Sequence, residues 1–189
     1  MEIPMDRPIL FVNACVRKES RTRVLAEKLL QKLNRPYREI CLGDMTFPAV
    51  DEAFLRKRDT LIAAGEFQNP MFDLARQFAE AENIVIAAPY WDLSFPAALK
   101  QYLEQIAVVG ITFRYSEEGV PQGLCRAKQL FYVTTAGGNY VPDTFGFGYV
   151  EALARGYYGI PEVRKVEAAG LDIEGADVAG ILRAAEDTL

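Results

Sequence analysis

The chain has 189 residues, of which 50% are hydrophobic and 25% charged, a balance typical of one globular domain with a real core. Its formal net charge of -5 provides no basic excess for binding nucleic acid or an anionic membrane surface. It contains no histidine, which excludes Ser-His and Cys-His catalytic pairs and leaves a cofactor as the carrier of any enzymatic chemistry.

The first residues are acidic, and the apolar run that follows them is too short for a signal peptide or a membrane span. We therefore expect a cytoplasmic protein. Five short apolar runs then predict strands, at residues 9–13, 37–42, 84–88, 130–134 and 163–169.

Stretches with the apolar spacing of helices separate or follow these strands, at residues 20–33, 51–64, 71–81, 95–108 and 175–188. The alternation predicts a single α/β domain over residues 1–189, with a doubly wound, five-stranded parallel sheet. Ligands of such sheets bind beyond the carboxyl ends of the strands, where the strand order reverses. The loops after the first, third and fourth strands are therefore the candidate binding loops.

The first loop joins the first strand to the first helix and ends in Ser20, Arg21 and Thr22. Two hydroxyls, an arginine and the free N–H groups of a helix start can converge on one anion such as a phosphate. Serine is also preferred as a plain helix cap. These residues alone leave both interpretations open.

The second loop, residues 88–96, carries Tyr90, the chain's one tryptophan at Trp91, and Phe95. Large apolar side chains on an exposed turn require a flat ligand, a protein interface or a small core beneath the loop. The third loop contains Gly137 and Gly138, which let a backbone approach a ligand closely but also serve ordinary turns. All three loops fall on one edge of the predicted sheet.

The residues of these loops and their spacing resemble those of the family of FMN-dependent NADH-azoreductases and NAD(P)H:quinone oxidoreductases. The match covers nearly the whole chain, through N-x(6)-SRT from Asn13, PYWDLSFPAALKQYLEQI, GITFRYSEEGVPQGL and VTTAGGNY. The resemblance implies a flavodoxin-like fold with strand order 2-1-3-4-5 and helices on both faces of the sheet. It also implies FMN as the cofactor.

By this resemblance, three groups of residues contact FMN. The implied phosphate group is Asn13, Ser20, Arg21 and Thr22, the implied ring contacts are Pro89, Tyr90, Trp91, Asp92 and Leu93, and the implied pyrimidine-edge contacts are Thr135, Gly137 and Gly138. Tyr140 is placed near the substrate, as a candidate proton donor or stacking side chain. The implied activity uses NADH or NADPH to pass two electrons through the flavin to a quinone, azo or nitro acceptor.

The resemblance further implies a homodimer with the flavin near the interface, where Trp91 and the aromatic residues of 145–149 would be buried. The chain departs from the family pattern at Asp92, where asparagine is usual, and at Ala136, where some members have arginine or glycine. A carboxylate close to the ring would disfavour an anionic reduced flavin.

A different class of enzyme fits one of the same segments. Residues 15–22 match C-x5-R-T, which resembles the phosphate loop of low-molecular-weight tyrosine phosphatases. In that interpretation Cys15 is the nucleophile and Arg21 binds the phosphoryl oxygens. That loop requires small residues, whereas bulky and charged side chains occupy it here, and the Asp-Pro dipeptide of that family is missing from the chain.

Two further interpretations share the predicted fold: a flavodoxin-type electron carrier and a flavin-free binding module. A flavin absorbance spectrum separates the flavoproteins from the other classes, and NAD(P)H oxidation with a quinone separates an enzyme from a carrier. Cys15, Cys41 and Cys125 are odd in number and widely spaced, so we expect reduced thiols and no metal site.

Overall fold

Five parallel strands form the central sheet of the computed structural model, which describes residues 8–188. Residues 1–7 and 189 lie outside the described part. The prediction that the chain begins without a signal peptide falls partly on those first residues. In chain order the elements are β1 (Ile9–Asn13), α1 (Arg21–Leu33), β2 (Tyr37–Cys41), α2 (Glu52–Ala63), α3 (Asp73–Glu80), β3 (Asn83–Ala87), α4 (Ala97–Ile106), β4 (Phe113–Tyr115), β5 (Pro121–Gly123), β6 (Gln129–Thr135), α5 (Phe147–Gly156), β7 (Glu162–Ala168) and α6 (Val178–Asp187).

The strands of the large sheet follow the order β2-β1-β3-β6-β7, and every neighbouring pair is parallel. This is the predicted order 2-1-3-4-5, because the short strands β4 and β5 form a separate antiparallel hairpin. The chain leaves β1 for β2 at one edge and then returns to β3 on the other side of β1. The carboxyl ends of β1 and β3 therefore flank the switch point at which such folds bind ligands.

Two apolar layers cover the sheet, one on each face. Side chains from α1 and α6 pack on one face, and side chains from α3, α4 and α5 pack on the other. All five residues of β1 are buried because both of its faces are covered, which explains why its sequence is a continuous apolar run rather than an alternating one. Within residues 8–188, no helix combines the length and the apolar character needed to cross a membrane.

Three elements of the structure were not predicted from the sequence. These are the hairpin of β4 and β5, inserted between α4 and β6, and the helix α5, between β6 and β7. The two helices predicted between the second and third strands are present as α2 and α3, and a short 3-10 helix at Pro70–Phe72 precedes α3.

Candidate functional site

A cavity of about 310 Å³ lies at the carboxyl ends of β1, β3 and β6, beside the start of α1. Its position matches the switch point of the sheet. Four segments of the chain line it: Val16, Arg17, Glu19, Ser20, Arg21 and Thr22; Pro89, Tyr90 and Trp91; Thr135, Ala136 and Gly137; and Leu171 and Asp172. The cavity thus brings together eight of the twelve predicted cofactor contacts, and the other four, Asn13, Asp92, Leu93 and Gly138, do not line it. Six of the lining residues were not predicted: Val16, Arg17, Glu19, Ala136, Leu171 and Asp172.

The start of α1 forms one end of the cavity. Ser20 caps the helix, since its hydroxyl accepts a hydrogen bond from the Arg23 backbone N–H at 3.3 Å. The first N–H groups of the helix, at Arg21 and Thr22, have no acceptor one turn earlier in the helix. They lie at the positive end of the helix dipole. Ser20 and Thr22 both line the cavity, so the residue that caps the helix also forms part of the cavity wall.

Two buried hydroxyls connect the helix start to the sheet. The Thr22 and Thr135 Oγ1 atoms are 2.6 Å apart, a hydrogen bond in which either can donate. Because Thr22 is in the first turn of α1 and Thr135 ends β6, this bond fixes the spacing between two walls of the cavity.

Arg21 is paired with an acidic residue at the same end. Its Nη1 donates to Asp172 Oδ1 at 2.7 Å and to the Leu171 carbonyl at 3.3 Å. Asp172 belongs to the loop that follows β7, and both side chains of the pair line the cavity.

Asn13 lies outside the cavity lining, and its side chain already has partners. Its Nδ2 donates to Glu39 Oε1 at 2.8 Å, and its Oδ1 accepts from the Cys15 backbone N–H at 2.9 Å. These bonds shape the turn that leaves β1 and so hold the backbone leading to Ser20.

The loop after β3 supplies a second wall. The Tyr90 backbone N–H donates to the Thr135 carbonyl at 3.0 Å, which fastens the loop to the end of β6. Trp91 and Ser94 then exchange two backbone hydrogen bonds across a two-residue turn, at 3.1 and 2.7 Å. Asp92 and Leu93 form the exposed tip of that turn, at φ values of 49° and 68°, and neither lines the cavity.

The glycine loop after β6 is held against the loop after β7. The N–H groups of Gly170, Leu171 and Asp172 donate to the carbonyls of Gly138, Ala136 and Gly137, at 3.0, 3.1 and 3.0 Å. A Cβ on Gly137 would overlap the Asp172 carboxylate, so the lack of a side chain is what admits Asp172 to this end of the cavity. Gly138 takes part in this pairing but does not line the cavity.

A hydrogen-bonded framework supports the segment that follows the glycine loop. Lys165 Nζ lies 2.7 Å from Asp143 Oδ1 and 3.1 Å from Glu167 Oε2, and the Ser94 hydroxyl donates to the Phe145 carbonyl at 2.6 Å. Burial alone would lower the pKa of Lys165, but its bonds to the two carboxylates raise it above the ordinary value, so the ammonium form is favoured.

Several apolar side chains lie exposed near these loops. Tyr140 is 78% exposed and does not line the cavity, and Trp91, Leu93 and Phe145 are also exposed. Of the aromatic residues expected at an interface, Phe147 and Tyr149 instead pack partly inside the chain, against Tyr132 and Phe95 respectively.

Cys15 does not have the surroundings of a nucleophile. The residue is buried and does not line the cavity, and burial raises the pKa of its thiol to about 11, although a hydrogen bond with Ser20 and the charge of Arg23 act in the opposite direction. A thiol that stays protonated at neutral pH is a poor nucleophile, which argues against the phosphatase interpretation.

Leu171 and Asp172 were not predicted, because the predicted binding loops follow the first, third and fourth strands and these two residues follow the fifth. The signal available was the segment AGLDIEG, two glycines around an aspartate directly after the fifth strand. In a parallel sheet its carboxyl end lies at the same edge as the others, so this loop also belonged among the candidates.

Comparison with known proteins agrees with this geometry. The family model for the flavodoxin-like fold matches residues 7–189. An FMN-dependent NADH:quinone oxidoreductase of Clostridium beijerinckii is 36% identical over 190 residues, covering 95% of this chain and 94% of that protein. An enzyme of the same name from Clostridium perfringens is 34% identical over 181 residues, covering 90% of this chain and 89% of that protein.

Solved structures show the same fold. An azoreductase from Bacillus anthracis superposes with a TM-score of 0.82 at 24% identity, covering 96% of this chain and 95% of that one. An FMN-dependent NADH-azoreductase from Bacillus anthracis, solved in complex with FMN, gives 0.79 at 23% identity, covering 96% and 94%. From the family match and the two clostridial relatives, this chain belongs to the flavodoxin-like family that includes the FMN-dependent NADH:quinone oxidoreductases.

Proposed function

We propose that this protein is an FMN-dependent NADH:quinone oxidoreductase, and that residues 1–189 form one FMN-binding domain. The observation that carries the proposal is the convergence of the predicted loops on one cavity at the switch point. The similarity to clostridial enzymes of that name, over nine-tenths or more of both chains, supports the same cofactor and donor.

The residues present fit a flavin mononucleotide. At one end of the cavity, the helix start presents two hydroxyls, free N–H groups and Arg21, a donor set suited to a phosphate. At the other wall, Pro89, Tyr90 and Trp91 offer flat and apolar surface suited to an aromatic ring. Thr135 and Gly137 supply a hydroxyl and an unobstructed backbone between these two ends.

In the proposed holoenzyme, bound FMN supplies the two-electron chemistry that links NADH oxidation to reduction of the acceptor. The protein's own contribution is to bind and orient the cofactor. Ser20, Arg21 and Thr22 would bind its phosphate, while the loop of Pro89–Trp91 would shield one edge of the ring from water. Asp92 and Leu93 at the turn tip and Gly138 beside Gly137 are further FMN contacts in this proposal. Asn13 would act indirectly, through the backbone that it positions.

We propose that Tyr140 acts at the acceptor rather than at the cofactor. Its exposed ring is available for stacking on a quinone or for donating its phenolic proton. The bonds of Lys165 to Asp143 and of Ser94 to Phe145 hold the segment directly after Tyr140. Azo and nitro compounds are further acceptors in this proposal, by analogy with the azoreductases that share the fold.

We further propose a cytoplasmic homodimer. Exposed Trp91, Leu93, Tyr140 and Phe145 support an interface near the mouth of the cavity, since exposed apolar side chains in one region mark interaction surfaces. Sedimentation equilibrium would show a dimer mass, and a monomer at all concentrations would contradict the dimer while leaving the activity untouched.

Steady-state kinetics test the activity itself. The FMN-loaded protein should oxidise NADH in the presence of a benzoquinone, with double-reciprocal plots that are parallel, because donor and acceptor use the site in turn. Comparing the rates with NADH and with NADPH measures which donor the protein prefers. The names of the clostridial relatives support NADH. An electron carrier would instead bind FMN and oxidise neither dinucleotide, which would contradict the proposal.

A further inference from the structure

The cation at the proposed phosphate end of the cavity is already neutralised by the protein itself. Arg21 Nη1 lies 2.7 Å from Asp172 Oδ1, and both side chains line the cavity. The side chains of Arg21 and Asp172 are 46% and 70% exposed, respectively, so water reaches the pair. A carboxylate therefore stands in the same place, relative to the guanidinium, that an oxygen of a bound phosphate would take.

The backbone of Asp172 is held by a hydrogen bond, whereas its side chain is largely exposed to solvent. Its N–H donates to the Gly137 carbonyl at 3.0 Å, and the neighbouring Leu171 N–H donates to the Ala136 carbonyl at 3.1 Å. The carboxylate lies over Gly137, in the space that a Cβ would occupy there. Exposed ion pairs stabilise a fold only slightly, so this one can open when a stronger anion competes for the arginine.

We propose that Asp172 is an internal anion that competes with the phosphate of the cofactor for Arg21, and so sets how strongly the site prefers FMN to the same flavin without phosphate. This inference rests on the proposed function. A phosphate carries up to two negative charges against one on the carboxylate, so it can displace Asp172, but its binding then costs the ion pair between Arg21 and Asp172. Asp172 thereby lowers the affinity for FMN without affecting riboflavin.

A matched pair of variants isolates this effect. Asp172→Asn removes the competing charge and keeps the shape of the side chain. Glu174→Gln is the matched control, because it removes the same charge from an exposed residue of the same loop that does not line the cavity. The flavin-free full-length proteins are titrated with FMN and with riboflavin, using quenching of flavin fluorescence to give the Kd.

We expect Asp172→Asn to tighten FMN by about fivefold, the factor equivalent to one exposed ion pair, and to leave the riboflavin Kd unchanged. Glu174→Gln should change the FMN Kd by less than about twofold, because Glu174 lies outside the cavity lining and the effect of an exposed charge is screened by salt. In an Arg21→Gln background, Asp172→Asn should no longer tighten FMN. At about 1 M salt the gain should largely disappear, because the Debye length falls to about 3 Å.

Weaker FMN binding by Asp172→Asn would overturn the inference, because it would mean that Asp172 orients Arg21 for the phosphate instead of competing with it. An unchanged Kd, or a gain that persists without Arg21, would overturn it as well. A wild-type protein that binds neither flavin would reject the proposed function, and the inference with it. Should Asp172→Asn not fold, Asp172→Ser in the same titration provides the same comparison.

Discussion

At the scale of single residues, the bond between the Thr22 and Thr135 hydroxyls is the contact on which the cavity depends most directly. Both side chains are buried, and their oxygens are 2.6 Å apart. When one hydroxyl is removed, the other loses its partner in a place that water reaches poorly, which costs more than the bond itself contributed.

Each of the single changes Thr22→Val and Thr135→Val should therefore lower the free energy of unfolding by about 1–3 kcal/mol. The double variant should lose less than the sum, because it leaves no unpaired hydroxyl and keeps the volume of both side chains. Urea denaturation of the four flavin-free proteins measures the coupling. Strictly additive losses would show that the two hydroxyls do not depend on each other.

Cys15 yields a prediction about reactivity and pH. Because burial raises the pKa of its thiol to about 11, the native state holds the proton at pH values where the unfolded chain, with a thiol pKa of about 8.5, releases it. The unfolded state then binds fewer protons, so the contribution of Cys15 to stability is complete below about pH 8.5 and declines as the pH rises towards 11.

Alkylation by iodoacetamide at pH 8.5, followed by peptide mass spectrometry, should accordingly label Cys15 at least about tenfold more slowly in the native protein than in denaturant. The Cys15→Ser protein should oxidise NADH at the rate of the wild type. Rapid labelling of the native thiol, together with an aryl-phosphatase activity lost in Cys15→Ser, would restore the phosphatase interpretation.

The residues at the helix start could be predicted because their chemistry is local. Ser20 caps the helix that follows it, and Arg21 and Thr22 begin that helix, all within one short segment. Asp172 could not be placed in the same way, since 151 residues separate it from Arg21 and only the pairing of parallel strands brings the two together.

At the scale of elements, the hairpin of β4 and β5 shows how close packing can depend on one glycine. A Cβ on Gly123 would overlap the backbone of Tyr158 and Gly159, in the turn between α5 and β7. Backbone atoms cannot rotate away as a side chain can, so the hairpin and the turn would have to separate.

Gly123→Ala should therefore lower the free energy of unfolding by about 2 kcal/mol or more. Gly156→Ala is the matched control, because Gly156 ends α5 with open space where a Cβ would lie. It should leave stability unchanged or raise it by up to about 1 kcal/mol, since alanine is the better helix former. Equal stability of the two variants in urea denaturation would contradict the packing described for the hairpin.

The longer strands could be predicted from the sequence, whereas the short strands and α5 could not. Strands β1, β3 and β6 are largely continuous apolar runs, so their positions could be predicted from the pattern. Strands β4 and β5 have three residues each, too few to establish a period, and α5 includes Gly148 and Gly156, which weaken a helical signal. Contacts formed only in the folded protein determine these elements, including the packing of Val150 and Ala154 of α5 in the core.

The turn of the β3 loop was unpredictable for a related reason. Asp92 and Leu93 both adopt positive φ, although neither is a glycine, and a leucine in that conformation carries a backbone cost of about 1–2 kcal/mol. The paired backbone bonds of Trp91 and Ser94 and the bond from Ser94 to Phe145 hold the turn in this shape. Strain retained at a loop beside a cavity is typical of binding sites.

At the scale of the whole molecule, the fold unites segments that are far apart in sequence at one edge of the sheet. The order β2-β1-β3-β6-β7 places the ends of β1, β3, β6 and β7 side by side, and the loops that follow them line the cavity. We propose that FMN binds in this cavity.

Titration of the flavin-free protein with FMN, followed by absorbance and by thermal unfolding, tests whether the chain binds this cofactor. We predict shifted visible flavin bands that saturate at one FMN per chain. At a free FMN concentration of about 100 times the Kd, linkage adds about 2.7 kcal/mol of stability, which for a chain of this size raises the Tm by roughly 5–10 °C. An unaltered flavin spectrum and an unchanged Tm in excess FMN would contradict the proposal that the protein binds FMN.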